Sequence, residues 1–221
     1  MQESKLKYKA VIFDFNGTLF WDTLFHNSAW DIFLAKHNIL LAENEKKIRI
    51  HGRTNHDILP DLFRKKLTDS QINTFILEKE SIYQQMITKF HLELAPGAVE
   101  FFDFLKLKHI PFTIATASGK ENVDFFFEYL KLKQWFDYEQ VVLNNNSFKA
   151  KPAPDIYLKA SEILKTSPEN CIVFEDSDIG IQAAENAGIG KIFKVNSSYE
   201  RHETSKYQTI SKFNEVNKNL F

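Results

Sequence analysis

Asp14, Asn16, Thr116, Lys151, Glu175 and Asp176 are the side chains whose types and spacing could do chemistry in this chain. Each follows an apolar, strand-like run. Ala10-Val11-Ile12-Phe13 leads into Asp14-Phe15-Asn16-Gly17-Thr18, and Phe112-Thr113-Ile114-Ala115 into Thr116-Ala117-Ser118-Gly119. Val141-Val142-Leu143 leads through a polar loop to Lys151-Pro152-Ala153-Pro154-Asp155, and Cys171-Ile172-Val173-Phe174 into Glu175-Asp176-Ser177-Asp178. Open parallel sheets collect their ligands at the carboxyl ends of the strands. Carboxylates from two strands suit a hard cation such as Mg2+, which takes oxygen ligands. A hydroxyl turn that opens a helix offers N–H groups and a positive dipole end to an anion. With a lysine added, the set suits phosphoryl transfer, where positioning and charge neutralisation carry most of the catalysis.

Each residue also has a plainer role open to it. Asp14, Thr116 and Ser118 could cap the turns and helices that follow them. Lys151 could be a solvated loop lysine, and Glu175-Asp176 a strand end shedding charge to water.

The elements that must position these residues alternate. Helical patterns follow Pro96 (Val99, Phe102, Phe104, Leu105), cover Lys120 to Leu132, start after Pro154 (Ile156, Leu158, Ala160, Ile163, Leu164) and run from Asp178 to Ala187, where Gly188 is a natural stop. With a fifth strand over Lys191–Val195, this predicts an α/β fold, a doubly wound, Rossmann-like parallel sheet. The stretch from 22 to 94 breaks the rhythm and reads as helices over Asp22–Lys36, Glu43–Ile50, Thr54–Lys66 and Thr68–Lys89, the last opening on a Thr68-Asp69-Ser70-Gln71 capping box. The predicted organisation is a core of 1–21 and 95–221 with an all-α cap of 22–94. Such a cap would serve as a lid, hinged near Trp21 and Pro96-Gly97. The tail beyond Ser198 is polar, with a short closing helix expected near its end.

A chain of 221 residues with 43% hydrophobic and 26% charged residues can build a sizeable core, and 21 phenylalanines make that core bulky. The net charge of -1, without runs of like charge, gives no footprint for nucleic acid or an anionic membrane. The N-terminal apolar run is too short for a signal peptide or a membrane span. One cysteine, Cys171, allows no internal disulfide and reads as a buried apolar residue in a reducing, cytoplasmic setting. Nothing in the sequence demands more than a monomer.

In their order and spacing, these motifs resemble the haloacid dehalogenase superfamily, and within it the β-phosphoglucomutase-like branch with a helical cap. The resemblance rests on Asp14-Phe15-Asn16-Gly17-Thr18, Thr116, Lys151-Pro152-Ala153-Pro154-Asp155 and Glu175-Asp176-Ser177, with Gly180-Ile181-Gln182-Ala183-Ala184 following. It implies that Asp14 attacks phosphorus and forms an aspartyl-phosphate. It implies a Mg2+ cofactor held by Asp14, the Asn16 backbone carbonyl and Asp176, with Glu175 assisting. Thr116, the Ala117 N–H and Lys151 would hold the transferring phosphate. In the cap, His26 matches a position that lies near the acid/base residue in this branch, although an ordinary helix-face histidine reads the same way. Arg53, within Gly52-Arg53-Thr54-Asn55, and Lys79 are possible anion contacts from the cap; a solvated helix lysine is the alternative for Lys79.

Asn16 departs from the pattern. The family's phosphatases and mutases place an aspartate there as general acid/base, a role worth about 10²–10⁴-fold in rate, and an amide cannot exchange the proton. The expected function is a Mg2+-dependent phosphatase of a small phosphorylated metabolite such as a sugar phosphate, slowed by Asn16. A sugar phosphomutase is the alternative enzyme, and a phosphometabolite-binding protein with weakened turnover is the alternative outside catalysis.

Overall fold

The computed structural model describes residues 8–50, 55–143, 145, 147–197 and 206–221. Strand β1 (Ala10–Phe13) is followed by helices α1 (Thr23–Lys36), α2 (Glu43–Arg49), α3 (Asn55–Phe63) and α4 (Asp69–Phe90). Then come α5 (Ala98–Leu107), β2 (Phe112–Ile114), α6 (Lys120–Tyr129), α7 (Asp155–Ile163), β3 (Cys171–Glu175), α8 (Asp178–Asn186), β4 (Lys191–Val195) and β5 (Gln208–Ile210). The chain divides into two compact units, Met1–Trp21 with Glu93–Phe221, and Asp22–Leu92. The first is an α/β core and the second an inserted all-helical unit.

The core sheet is parallel throughout, in the order β2-β1-β3-β4-β5. Strand periodicity gives each of its faces a different composition. On one face Ala10 and Ile12 of β1 and Cys171 and Val173 of β3 pack with Ile156, Tyr157 and Ala160 of α7 and Ile181, Ala183 and Ala184 of α8. On the other face Phe13 stacks on Phe174 at 5.3 Å and meets Phe102 of α5 edge-on at 5.4 Å, with Phe101 and Phe213 close by. Phe13 has no exposed surface; truncating a phenylalanine so placed costs about 3–5 kcal/mol. The same alternation aims the residues that end these strands. Asp14 continues the Ala10–Ile12 side and Glu175 the Cys171–Val173 side. The register Phe13↔Phe174 sets the two carboxylates next to each other.

The helical unit has its own core of Trp30, Phe33, Leu34, Ile50, Ile58, Leu59, Leu62 and Ile72. The α4 capping box forms as expected: the Gln71 N–H donates to Thr68 Oγ1 at 3.3 Å and the Thr68 N–H to Gln71 Oε1 at 3.0 Å.

Several local expectations are corrected. Val141–Leu143 contributes only a single bridge, Ala115↔Val142, because the run is three residues long and turns polar at once. β5 was not expected: Gln208 and Thr209 are exposed and only Ile210 is buried, so this edge strand carries little apolar signal. The short helix expected near the end of the tail is present as two 3-10 turns, Phe213–Glu215 and Lys218–Leu220. In α5 the buried face is Ala98, Phe101, Phe102 and Leu105, leaving Val99 outside. In α7 Leu158 is 43% exposed and Tyr157 is completely buried.

Candidate active site

Asp14 leaves β1 with its N–H donating to the Phe174 carbonyl at 3.0 Å, so the sheet fixes its backbone. The Lys151 ammonium donates to Asp14 Oδ1 at 2.6 Å and to Glu175 Oε2 at 2.7 Å. The three groups are nearly shut off from water. A buried charge needs a partner, and here one cation serves two anions. The Lys151 ammonium also lies 5.2 Å from the centre of the Tyr157 ring. Its solvated alternative does not hold.

Glu175 is engaged at both oxygens. Oε2 accepts from Lys151 and from the Tyr157 hydroxyl; Oε1 accepts from the Ser177 hydroxyl at 2.8 Å and the Ser177 N–H at 3.1 Å. Ser177 also caps α8 by accepting from the Gly180 N–H at 3.1 Å. Gly180 has to be a glycine here, because a Cβ would land on the Glu175 carboxylate.

Asp176 is the third carboxylate of the cluster. Thr18 Oγ1 donates to Asp176 Oδ1 at 3.3 Å. Gly17 turns with φ +78°, and a side chain there would collide with Asp176. The Gly-Thr pair after the first strand thus lets the acidic loop after β3 approach closely.

Electrostatics within the cluster are uneven. Burial, and then the charge of Glu175, push the Asp14 carboxyl up to about 7 from an ordinary 3.8, against the pull of Lys151 and Thr18. Burial, then Asp14 and Glu175, raise Asp176 well above the usual carboxylate range. Burial also acts to raise Glu175, but Lys151, Tyr157 and Ser177 outweigh it and leave its carboxyl below its ordinary value. For Lys151 burial works toward deprotonation, and its two carboxylate partners hold it well above the ordinary lysine range.

Asp14, Glu175 and Asp176 each bring a carboxylate oxygen within 4.8 Å of the others. All-oxygen donors at that separation, two of them on carboxyls that resist ionising together, fit a hard divalent cation.

Thr116 is buried at the end of β2, with its N–H bonded to the Val142 carbonyl at 2.8 Å. Its hydroxyl oxygen accepts from the Ser118 N–H at 3.1 Å, which is the turn-capping geometry. Ala117 is exposed at the tip of that turn. Ser118 Oγ donates to Asn16 Oδ1 at 2.7 Å, tying the loop after β1 to the turn after β2.

His26 and Lys79 come together in the helical unit. Lys79 is only 3% exposed, so it is not a solvated helix lysine. Its ammonium is 3.1 Å from His26 Nδ1 and 3.1 Å from both oxygens of Glu80, over the faces of Trp30 and Tyr83. An ammonium only donates, so His26 Nδ1 accepts and Nε2 carries the proton toward Asp22 Oδ2, 3.3 Å away. The Tyr83 hydroxyl donates to the same Asp22 oxygen, and Asn55 Nδ2 donates to Glu80 Oε1 at 3.2 Å. Arg53 lies outside the described residues.

Tyr157, Ser177, Thr18 and Ser118 were not singled out as site residues in the sequence. Tyr157 directly follows the Lys-Pro-x-Pro-Asp-Ile stretch, the one local cue that could have marked it.

Residues 11–194 match the family described as haloacid dehalogenase-like hydrolase. The chain belongs to this family. This haloacid dehalogenase-like hydrolase is 30% identical over 191 residues to a Thermotoga maritima protein named phosphorylated carbohydrates phosphatase, covering 85% of each chain. It is 29% identical over 187 residues to a Bacillus subtilis β-phosphoglucomutase, covering 82% of this chain and 80% of the relative. In structure it is similar to a family IA, variant 3 hydrolase from Entamoeba histolytica, with a TM-score of 0.83, 38% identity and 96% of each chain covered. The hydrolase therefore has the parallel core and inserted helical domain of the superfamily, close to the β-phosphoglucomutase-like branch. No helix of the described residues is long and apolar enough to cross a membrane.

Proposed function

We propose that this haloacid dehalogenase-like hydrolase is a Mg2+-dependent phosphatase of a small phosphorylated metabolite, working through an aspartyl-phosphate on Asp14. The observation that carries the reading is the Lys151 ammonium bonded at once to Asp14 and Glu175, with Asp176 close enough to share one ion with Asp14. Asp14 and Asp176, together with the Asn16 backbone carbonyl, would hold Mg2+. When bound, the ion supplies positive charge that lets both carboxylates ionise and offsets charge on the phosphoryl group.

The rest is done by the chain. Asp14 offers a carboxylate oxygen to phosphorus from a backbone fixed by the sheet. Lys151 holds a second charge against the phosphoryl oxygens, and Glu175 holds Lys151 in place. Thr116 and the Ala117 N–H complete the phosphate contacts. Asn16 supplies hydrogen bonds in place of a proton, so the aspartyl-phosphate is long-lived and turnover slow. Within the helical unit His26 and Arg53 are candidate substrate contacts, and the buried Lys79, bonded to Glu80 and His26, is a weaker one. The name of the Thermotoga relative makes phosphorylated sugars the first substrates to try. We place the enzyme in a reducing, cytoplasmic compartment as a monomer, acting without nucleic acid or membrane partners.

The test is phosphate release from a panel of phosphorylated sugars and polyols with Mg2+. Release abolished by Asp14→Ala and accelerated by Asn16→Asp is the expected pattern. An isomeric sugar phosphate accumulating faster than free phosphate, after priming with a bisphosphate, would replace the phosphatase with a mutase. Tight binding of the panel with no release from any member would replace it with a binding protein.

A further inference from the structure

Among the described residues of the core unit, the groups bonded to Asp14 and to its neighbours provide charge and hydrogen bonds, and none of them is placed to hand over a proton. On the side of the Thr116–Ser118 turn stand two hydroxyls and the Asn16 amide. Ser118 Oγ donates to Asn16 Oδ1 at 2.7 Å, and the Ser118 N–H is itself anchored on Thr116 Oγ1 at 3.1 Å. With its carbonyl accepting from Ser118, the amide can donate hydrogen bonds from Nδ2 but releases no proton. Lys151 is pinned between two carboxylates, and a neutral amine would lose both ion pairs. Glu175 receives hydrogen bonds at both oxygens and is held as an acceptor. Asp176 belongs to the carboxylate cluster that fits the cation.

Leaving groups differ in what they need from such a site. When Asp14 attacks an alkyl phosphate ester, the P–O bond breaks toward an alkoxide, a strong base that must be protonated as it departs. When the donor is an acyl phosphate, the electron pair ends on a carboxylate, which leaves as a stable anion.

We propose that this site is specialised for phosphoryl donors whose leaving group departs unprotonated, acyl phosphates foremost, and discriminates against simple alkyl phosphates. The inference rests on the aspartyl-phosphate reading above and narrows its substrate class. In the first step an Asp14 oxygen bonds to phosphorus, the bond from phosphorus to the acyl oxygen breaks, and the carboxylate product leaves with that electron pair. In the second step water attacks phosphorus and the bond to Asp14 breaks. The Asp14 carboxylate is regenerated, and both protons of the water leave with the product as dihydrogen phosphate. Among phosphorylated sugars the same rule ranks anomeric phosphates, with their less basic leaving oxygen, above terminal ones.

The second step is common to every donor, so kcat hides the preference and kcat/KM reveals it. The experiment compares kcat/KM for acetyl phosphate and ethyl phosphate, with Mg2+, in the wild-type chain, Asn16→Asp and Asp14→Ala. In the wild type acetyl phosphate is favoured by at least about 10²-fold, the scale of one general acid, and Asn16→Asp lowers that ratio by about 10-fold or more. A wild-type ratio under about 10-fold, or one that Asn16→Asp leaves where it was, overturns the inference. Should Asn16→Asp fail to fold, substituted phenyl phosphates decide with the wild type alone. A steep fall in kcat/KM with leaving-group basicity supports the inference and a flat response overturns it. Turnover that survives Asp14→Ala, or a wild type inert toward both donors, sinks the aspartyl-phosphate reading itself.

Discussion

Replacing Asp14 by asparagine should make the metal-free protein more stable in base, by an amount that can be worked from the site. The Asp14 carboxyl titrates at about 7 in the folded chain against an ordinary 3.8. Across that interval the folded state still holds a proton that the unfolded chain has lost. Stability therefore falls as pH rises from about 4 to about 7, then levels off. At about 1.4 kcal/mol for each tenfold change in proton affinity, the Asp14 contribution is about 4 kcal/mol. Asp176, also raised, acts in the same direction. Glu175, which is lowered, adds stability above its ordinary range that is lost as pH falls. Asp14→Asn removes the first of these effects and, with it, the share of the Asp176 shift that the Asp14 charge causes. The assay is urea unfolding of wild type and variant with a chelator present at pH 4 and at pH 8. The difference between the two proteins should move by about 4 kcal/mol toward the variant at pH 8, equivalent to about 10 °C in Tm for a chain of this size. Mg2+ at a hundred times its Kd should then return about 2.7 kcal/mol to the wild type and much less to the variant. A difference that stays constant between the two pH values would refute the claim that Asp14 and its neighbouring carboxylates compete for one buried charge.

Other expectations follow from the supporting contacts. Tyr157→Phe takes one hydrogen bond from the buried Glu175 carboxylate and should lower unfolding free energy by about 1.5–3 kcal/mol, read by urea titration at neutral pH; no measurable change would mean the hydroxyl is not bonded there. Gly180→Ala should destabilise by about 1–3 kcal/mol even though alanine suits a helix better, because the new methyl displaces the Glu175 carboxylate; a rise in Tm would contradict the close approach. Thr68→Ala removes the α4 cap and should cost about 1 kcal/mol with no effect on catalysis, so a loss of activity at unchanged stability would argue against a purely local role.

The core and most of the cluster were readable because their signals are local. Ala10–Phe13 is a short apolar run ending in an acid, and the same pattern recurs at Cys171–Glu175. Strand parity alone then sets Asp14 and Glu175 on one face of the sheet. The Thr68–Gln71 box spans four residues and forms as written. What escaped reading depends on contacts across long stretches of chain. The Ser118–Asn16 bond joins positions 102 residues apart, and no periodicity announces it. Tyr157 was passed over because its neighbour Leu158 is the more apolar residue, yet α7 buries the tyrosine and points its hydroxyl at Glu175. Lys79 reads in the sequence as a possible anion contact or a solvated helix lysine, because a helical pattern does not reveal that Glu80 and His26 are there to neutralise and accept from it. β5 stayed hidden because an edge strand needs only one apolar anchor, here Ile210.

The account stands or falls on where the phosphoryl group goes. Wild-type protein mixed with Mg2+ and acetyl phosphate, quenched in acid and digested, should yield one peptide heavier by a phosphoryl group. That peptide should contain Asp14 and lose the added mass with hydroxylamine, and Asp14→Ala should not form it. A phosphoryl group carried on any other residue, or phosphate released by Asp14→Ala at the wild-type rate, would contradict the account.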